Sequence, residues 1–208
     1  DNASSDDTLA EVRQHLPHAQ LLANPRNVGF GAACNQGVAA ATTSHVLLLN
    51  PDCVCSPEAV TRLWQYAQGD LSAAMVAPQV LTKSGQPEVS YRMGVLRWRP
   101  KLATPAAGPL GVEFATGACL LIRVAAFAAV GGFDARYFMY YEDEDLCLRL
   151  RHAGYSVVIE PGAQVQHFAR SGSRQAGWRH RWRAWQGEFL RGKAHTESKL
   201  MFYRQYRG

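Results

Sequence analysis

The chain has 208 residues, 47% apolar and 19% charged, with five cysteines and a formal net charge of +5. That is enough apolar material for a sizeable core in one large domain, or a domain with an appendage, and it excludes a disordered tail or a disulfide-stapled miniprotein. No apolar run reaches the ~20 residues that a bilayer-spanning helix needs.

After a polar opening, Asp1-Asn2-Ala3-Ser4-Ser5-Asp6 with no initiator Met, helical spacing runs over residues 7–16 and Pro17 ends it. Residues 19–23 form a short strand candidate, followed by the turn-rich loop Asn24-Pro25-Arg26-Asn27-Val28-Gly29. The small, Ala-rich stretch 31–43 predicts a tightly packed helix. Residues 46–49 are a continuous apolar run, the pattern of a strand buried on both faces. Ser56-Pro57-Glu58 then starts a helix, with Ser as N-cap and Pro at the first position. A strand follows at 73–77. Residues 79–110 are rich in Pro and Gly and predict an irregular excursion with a hairpin. Strand character returns at 114–123, a helix at 141–153 ends on Gly154, and strands at 156–159 and 164–168 flank the turn at Pro161-Gly162. Short buried strands alternating with helices predict an α/β fold with a mostly parallel sheet.

Charge is unevenly placed. Residues 1–168 hold 12 Lys/Arg against 15 Asp/Glu, and residues 169–208 hold 10 against 2. In the tail, Trp178, Trp182, Trp185 and Phe189 fall on one helical face, flanked by Arg179, Arg181, Arg183 and Arg191. That stripe reads either as packing against the body or as an interfacial helix over 178–193, with aromatics at headgroup depth and Arg on anionic lipid. Nothing in the body supports the third use of such a pattern, nucleic-acid binding. Cys34, Cys53, Cys55, Cys119 and Cys147 lack zinc spacing and read as free thiols in a reducing, cytoplasmic setting.

In open α/β sheets, ligands bind beyond the carboxyl ends of strands. Acidic or polar clusters stand at such places: the opening segment, Asn50-Pro51-Asp52 after the apolar strand, and Glu142-Asp143-Glu144-Asp145 at a helix start. Acids in a first turn complement the helix dipole, but four in a row exceed that need. Like charges so close raise the pKa of one of them. His167, at the end of a strand, suits a structural role or a metal ligand. A nucleotidyltransferase on a similar α/β sheet would need basic residues on the triphosphate, and the body has no Gly-rich Lys motif of the P-loop kind.

The order of these segments is more specific than any one of them. Asp-Asn-Ala-Ser-Ser-Asp is followed by Asn27-Val28-Gly29-Phe30-Gly31-Ala32-Ala33-Cys34-Asn35, then Leu49-Asn50-Pro51-Asp52, then Thr116-Gly117-Ala118-Cys119. Gly131-Gly132-Phe133-Asp134 and Tyr140-Tyr141-Glu142-Asp143-Glu144-Asp145-Leu146-Cys147-Leu148-Arg149 complete the series. It resembles the family 2 glycosyltransferases, nearest to the rhamnosyltransferase-like branch, over most of residues 1–170. The resemblance implies a GT-A domain over 1–170 with a basic helical appendage over 171–208. It also implies inverting transfer of a sugar, with rhamnose as first guess, from a nucleotide-diphosphate sugar to a hydroxyl of a polyprenyl-linked glycan in bacterial surface polysaccharide synthesis. A Mg²⁺ or Mn²⁺ ion would assist, at the inner face of the membrane.

Residue by residue, the resemblance assigns Asp143 as catalytic base, with Glu142 and Asp145 as carboxylates able to substitute. Asp1, Asn27, Gly29, Asn35 and Asn50 face the nucleotide and donor. The residues Arg170, Ser171, Ser173 and Arg174 read either as a loop that closes over the diphosphate or as an ordinary solvated loop. Thr116 and Gly117 floor the acceptor side, where Asp145 is also placed. Asp52 and His167 hold the metal; Asn50 stands where the family's Asp-X-Asp signature has its first acid, which lowers the site's negative charge. A non-catalytic nucleotide-sugar-binding or assembly module is the alternative. Family members carry a strand, a helix and a second strand ahead of the Asp-Asn-Ala-Ser motif. Their absence from this sequence predicts exposed sheet edges and association with another segment, another subunit or a second copy.

Overall fold

A computed structural model describes residues 1–96 and 104–168 and a helix from Trp178 to Arg207, whose side chains are described from residue 190. In chain order the elements are α1 (Thr8–His15), α2 (Phe30–Ala40), β1 (His45–Leu49), β2 (Cys53–Cys55), α3 (Pro57–Gly69), β3 (Ala73–Leu81), β4 (Pro87–Glu88) and β5 (Tyr91–Arg92). They continue with β6 (Leu110–Gly111), β7 (Phe114–Ala115), β8 (Cys119–Arg123), α4 (Val124–Ala129), α5 (Glu142–His152), β9 (Ser156–His167) and α6 (Trp178–Arg207).

The main sheet has the order β1-β8-β3-β9-β2, with β4 added to β3 and β6 to β9; β5 and β7 form a separate pair. Helices cover both faces, as expected for the GT-A fold. The sheet is mixed rather than mostly parallel: β3 and β9 run parallel, while β8 is antiparallel to both β1 and β3, and β2 to β9. A doubly buried apolar run reads the same in either direction, so the sequence pattern carries no sign of this. Residues 19–23 are not a strand; the Leu22 carbonyl accepts from the Asp1 amine at 2.8 Å and the adjacent Asn24 N–H donates to the Asp1 carbonyl at 3.0 Å, without a ladder. The expected strand at 114–123 is broken at Thr116-Gly117-Ala118 into β7 and β8. The two strands expected around Pro161-Gly162 are one, because β9 continues past a register shift opposite Pro78 and Gln79.

The core has two layers, divided by the sheet. Along β3, Met75 and Ala77 face one side while Val76 and Val80 face the other. The first side packs on α2, α5 and α6 through Val38, Leu146, Leu150 and Phe202. The second packs on α3 through Ala59, Leu63 and Ala67. Ser56 caps α3 by accepting from the Ala59 N–H at 3.2 Å, with Pro57 in its first turn. Gly154, at φ +87°, closes α5. Phe202 is fully buried, so the end of α6 belongs to the main core. The aromatic stripe Trp178, Trp182, Trp185 and Phe189 lies outside the described side chains, as do Arg170 and Arg174.

This topology gathers the polar clusters at one edge of the sheet. Leu49 of β1 faces Cys119 of β8, so the residues leaving β1 meet those entering β8. Because β9 runs parallel to β3, His167 ends on that same edge and pairs with Cys53.

Candidate active site

Two adjoining cavities, about 290 and 280 Å³, lie along that edge and share Arg92, Phe114 and Thr116. The first reaches Glu142, Asp143, Tyr140 and His195; the second reaches Glu88, Tyr91 and His167.

The four acids of α5 point to different surroundings. Asp143 faces the cleft. The Gly117 N–H donates to its Oδ2 at 3.1 Å and the Glu144 N–H to its Oδ1 at 3.0 Å. Burial pushes its carboxyl up to about 6, opposed by the Gly117 hydrogen bond and the Arg92 charge. A Cβ at Gly117 would stand 3.3 Å from the Phe30 ring, a tight contact, and at an ordinary 3.7 Å from Asp143 Oδ2. Glu142 is turned inward against Gly31 and Cys34, 7% exposed, and its Oε2 has no hydrogen-bond partner among the described residues. Burial and then the Asp143 charge push it up to about 8, so it is protonated at neutral pH. Glu144 is buried and paired with Arg92, whose guanidinium lies 4.7 Å over the Phe114 ring.

Asp145, expected on the acceptor side, is instead fully buried and turned towards α6. It accepts from Arg149 Nε at 2.8 Å, Tyr206 Oη at 2.6 Å and Gln205 Nε2 at 3.3 Å. Every oxygen it has is occupied by that lock, which ties α5 to α6.

The chain enters α5 through Tyr140 and Tyr141, both at φ +68°. Two successive non-glycine residues in the left-handed region cost of order 1–3 kcal/mol each. The turn is held by α6: the Ser198 hydroxyl donates to the Met139 carbonyl at 2.9 Å, and the Tyr141 ring packs on His195 and Phe202 at 5.5 and 5.2 Å.

At the other end of the edge, His167 Nε2 lies 3.3 Å from Asp52 Oδ1. Together they offer one imidazole nitrogen and one carboxylate, a donor set that fits Mn²⁺ or Mg²⁺ completed by water and phosphate oxygens. Cys53 Sγ is in the same cluster, within 4.8 Å. Its thiol donates to the Ala118 carbonyl at 3.5 Å, and burial together with the Asp52 charge pushes it up to about 11, so it stays protonated. Asn50 adjoins this pair and is fixed through its backbone, its N–H donating to Ala118 and its carbonyl accepting from Cys53.

The residues assigned to the nucleotide divide in two. Asn27 and Gly29 sit in a loop clamped by Asn2, which donates to Asn27 Oδ1 at 2.9 Å and to the Gly29 carbonyl at 3.1 Å, and accepts from the Val28 N–H at 2.9 Å. Gly29, at φ +92°, leaves 2.6 Å between a notional Cβ and the Phe138 carbonyl, so no other residue fits. Asp1 is exposed and holds Ser4. Asn35, expected beside the nucleotide, spends both ends of its amide on the Phe133 backbone, at 2.8 and 2.9 Å. Thr116 lines both cavities.

Arg92 and His195 carry no motif signal, while Tyr140 stands inside the motif around Asp143 without a role of its own. Arg92 lies in the irregular 79–110 stretch and His195 beyond the aromatic stripe. For Asn2 a signal existed, since it stands inside the opening motif.

The Glycosyl transferase family 2 profile matches residues 1–131, and a second profile, described as the N-terminal domain of galactosyltransferase, matches residues 104–171. Helix α6 lies beyond both. N-acetylglucosaminyl-diphospho-decaprenol L-rhamnosyltransferase of Mycobacterium tuberculosis (strain ATCC 25618 / H37Rv) is 31% identical over 199 residues, which is 80% of this chain and 64% of the relative. The chain thus spans less than two thirds of that relative's length. Rhamnosyltransferase WbbL of Escherichia coli (strain K12) is 43% identical over 63 residues, 30% of this chain and 24% of the relative. Among solved structures, GalNAc-T7 with UDP, GalNAc and Mn²⁺ superposes with a TM-score of 0.67 at 16% identity, over 86% of this chain and 38% of that one. A mannosyltransferase from Pyrobaculum calidifontis, in complex with GDP-Man and Mn²⁺, gives 0.59 at 16% identity, over 88% and 49%. Fold and motif order agree with the family profile over most of the body, and the chain belongs to glycosyl transferase family 2.

Proposed function

We propose that this chain transfers a sugar, with inversion, from a nucleotide-diphosphate sugar to a hydroxyl of a glycan acceptor in surface polysaccharide synthesis, with Asp143 as the base. The observation that carries the reading is the Asp143 carboxylate, set in a cleft with one backbone N–H on each oxygen. Each oxygen keeps a lone pair for the acceptor proton, and burial raises its basicity towards the working pH. Asp143 takes the proton as the hydroxyl oxygen attacks the anomeric carbon. Asp52 and His167 would hold Mn²⁺ or Mg²⁺, whose charge neutralises the leaving diphosphate. Asn27, Gly29 and Asp1 line the nucleotide side, and Arg170 and Arg174 close on the diphosphate.

Rhamnose carried on deoxythymidine diphosphate is the favoured donor, and a polyprenyl-diphosphate-linked N-acetylglucosamine the favoured acceptor. The name of the mycobacterial relative supports both the sugar and the acceptor. Such an acceptor suits work at the inner face of the cell membrane through contact of residues 178–193 with lipid; none of the described helices is long and apolar enough to cross it. The presence of Asn50 in place of an acid favours one second reading, a member that binds the nucleotide sugar without turning it over.

Asp143→Asn decides between them. Transfer from the donor to an N-acetylglucosaminyl diphosphate acceptor should fall by roughly 10²–10⁴ while nucleotide-diphosphate affinity holds. Near-wild-type turnover in that variant would refute the assignment, and a wild-type chain that binds donor without turnover would establish the second reading.

A further inference from the structure

Tyr140 and His195 both line the cleft in front of Asp143, and neither has a part in the chemistry above. They come from separate elements. Tyr140 belongs to the left-handed turn before α5, and His195 to α6, an element outside both segments that match known families. Their rings meet edge to face at 5.4 Å, and His195 also lies 5.5 Å from the Tyr141 ring. Tyr140 is 37% exposed, so its ring is open to a ligand. The strained turn and the docking of α6 therefore cooperate to build one wall of the cleft.

The shape and chemistry of that cleft select a ligand class. Its volume of about 290 Å³ is at the small end for ligand pockets, room for one hexose-sized ring. Aromatic faces stand beside hydrogen-bonding groups, which matches a sugar ring with its apolar C–H face and hydroxyl rim. Charge argues against a phosphate. Among the described residues Arg92 is the only Lys or Arg lining the cleft, Glu144 already pairs with it, and Asp143 remains as a carboxylate. An anion placed there would meet net negative charge.

We propose that Tyr140 and His195 form the acceptor-sugar subsite, gripping a neutral sugar ring so that its hydroxyl reaches Asp143, and that any phosphate on the acceptor lies outside this cleft. The proposal rests on the reading of Asp143 as the base, and the test separates the two.

Octyl β-N-acetylglucosaminide serves as a phosphate-free probe, beside the same sugar on an alkyl diphosphate. Binding of the octyl probe is followed by saturation-transfer NMR, and acceptor KM for both compounds in transfer assays. Tyr140→Ala and His195→Ala should each raise KM for both acceptors by roughly five- to tenfold and weaken the NMR signal in step. Tyr140→Phe should restore most of what Tyr140→Ala loses, and nucleotide-diphosphate affinity with Mn²⁺ should not move in any variant. Thermal melts identify a variant that fails to fold, in which case Tyr140→Leu and His195→Gln, each expected to raise KM in the same direction, carry the comparison. Unchanged KM and binding in the folded variants other than Tyr140→Phe overturn the subsite while leaving the transferase reading intact. So does an effect confined to the diphosphate compound, which would make these residues phosphate readers. A wild-type chain that binds the octyl probe through Tyr140 and His195 but transfers nothing upholds the subsite and removes the transferase reading.

Discussion

Glu142 and Asp143 are adjacent acids, and the structure separates them by their protonation. Glu142→Gln tests that separation. Glu142 is 7% exposed and, by burial first and the Asp143 charge second, pushed from 4.5 up to about 8. At pH 7 it is neutral, so glutamine replaces it with a neutral group of the same shape. Transfer at pH 7 should remain near the wild-type level, in contrast to the loss in Asp143→Asn. Stability gives an independent readout. The folded protein keeps a proton on Glu142 that the unfolded chain releases above about 4.5, so wild-type stability falls as pH rises from 4.5 to 8. At 1.36 kcal/mol per unit, the fall from this residue is on the order of 4 kcal/mol at most. Glu142→Gln lacks it. Urea unfolding at pH 5, 6, 7 and 8 should show the variant gaining on wild type as pH rises, with the two meeting near pH 4.5. Asp143, raised to about 6, adds a slope of the same sign below pH 6 in both proteins and cancels in the comparison. Parallel stability curves, or a loss of transfer in Glu142→Gln equal to that in Asp143→Asn, would refute the reasoning.

Arg92 holds the Asp143 carboxyl down, so Arg92→Met should move the acid limb of the pH–rate profile to higher pH; an unmoved limb would separate Arg92 from the base. Asp52→Ala should weaken nucleotide-diphosphate binding in Mn²⁺ to the level seen with chelator, by calorimetry, and binding indifferent to both changes would count against the metal pair. Tyr206→Phe removes a 2.6 Å hydrogen bond to a fully buried carboxylate, a loss of about 2 kcal/mol, read as a drop of roughly 4–8 °C in Tm. Gly29→Ala forces a Cβ to 2.6 Å from the Phe138 carbonyl at φ +92° and should cost more than ~1 kcal/mol in denaturant titration.

Much of the fold was legible because its signals are local. The Ser56-Pro57 helix start, the apolar run of β1 and the Gly154 stop depend on a few neighbouring residues, and each appears where the pattern places it. Strand direction and continuity were not legible. β8 pairs antiparallel with both β1 and β3, and β9 passes Pro161-Gly162 by taking up the register shift itself, residues 161–163 standing opposite the consecutive β3 residues Pro78 and Gln79. Asn35 shows the same limit at the site. Its place in the motif suggests a ligand contact, but its amide is used by the backbone of Phe133, 98 residues later.

The run Glu142-Asp143-Glu144-Asp145 shows why the site needs the fold. In sequence it is one block of like charge at a helix start, suited to the macrodipole. A helix turns each successive residue by about 100°, so the four side chains meet four different neighbours. Glu142 meets α2 and an apolar interior, and is neutralised. Asp143 meets the Gly117 turn and the cleft, and stays available as a base. Glu144 meets Arg92 and becomes half of an ion pair. Asp145 meets Arg149 and Tyr206 and locks α6 in place. The roles follow from which element packs against each residue, and two of those elements, the 79–110 excursion and α6, are distant in sequence. Asp145 and Tyr206 thereby connect the base to the His195 wall: the lock that orients α5 is the one that seats α6 against the cleft. A change at Tyr206 should therefore reach acceptor KM as well as stability, whereas Gly29→Ala, on the nucleotide side, should act on the donor.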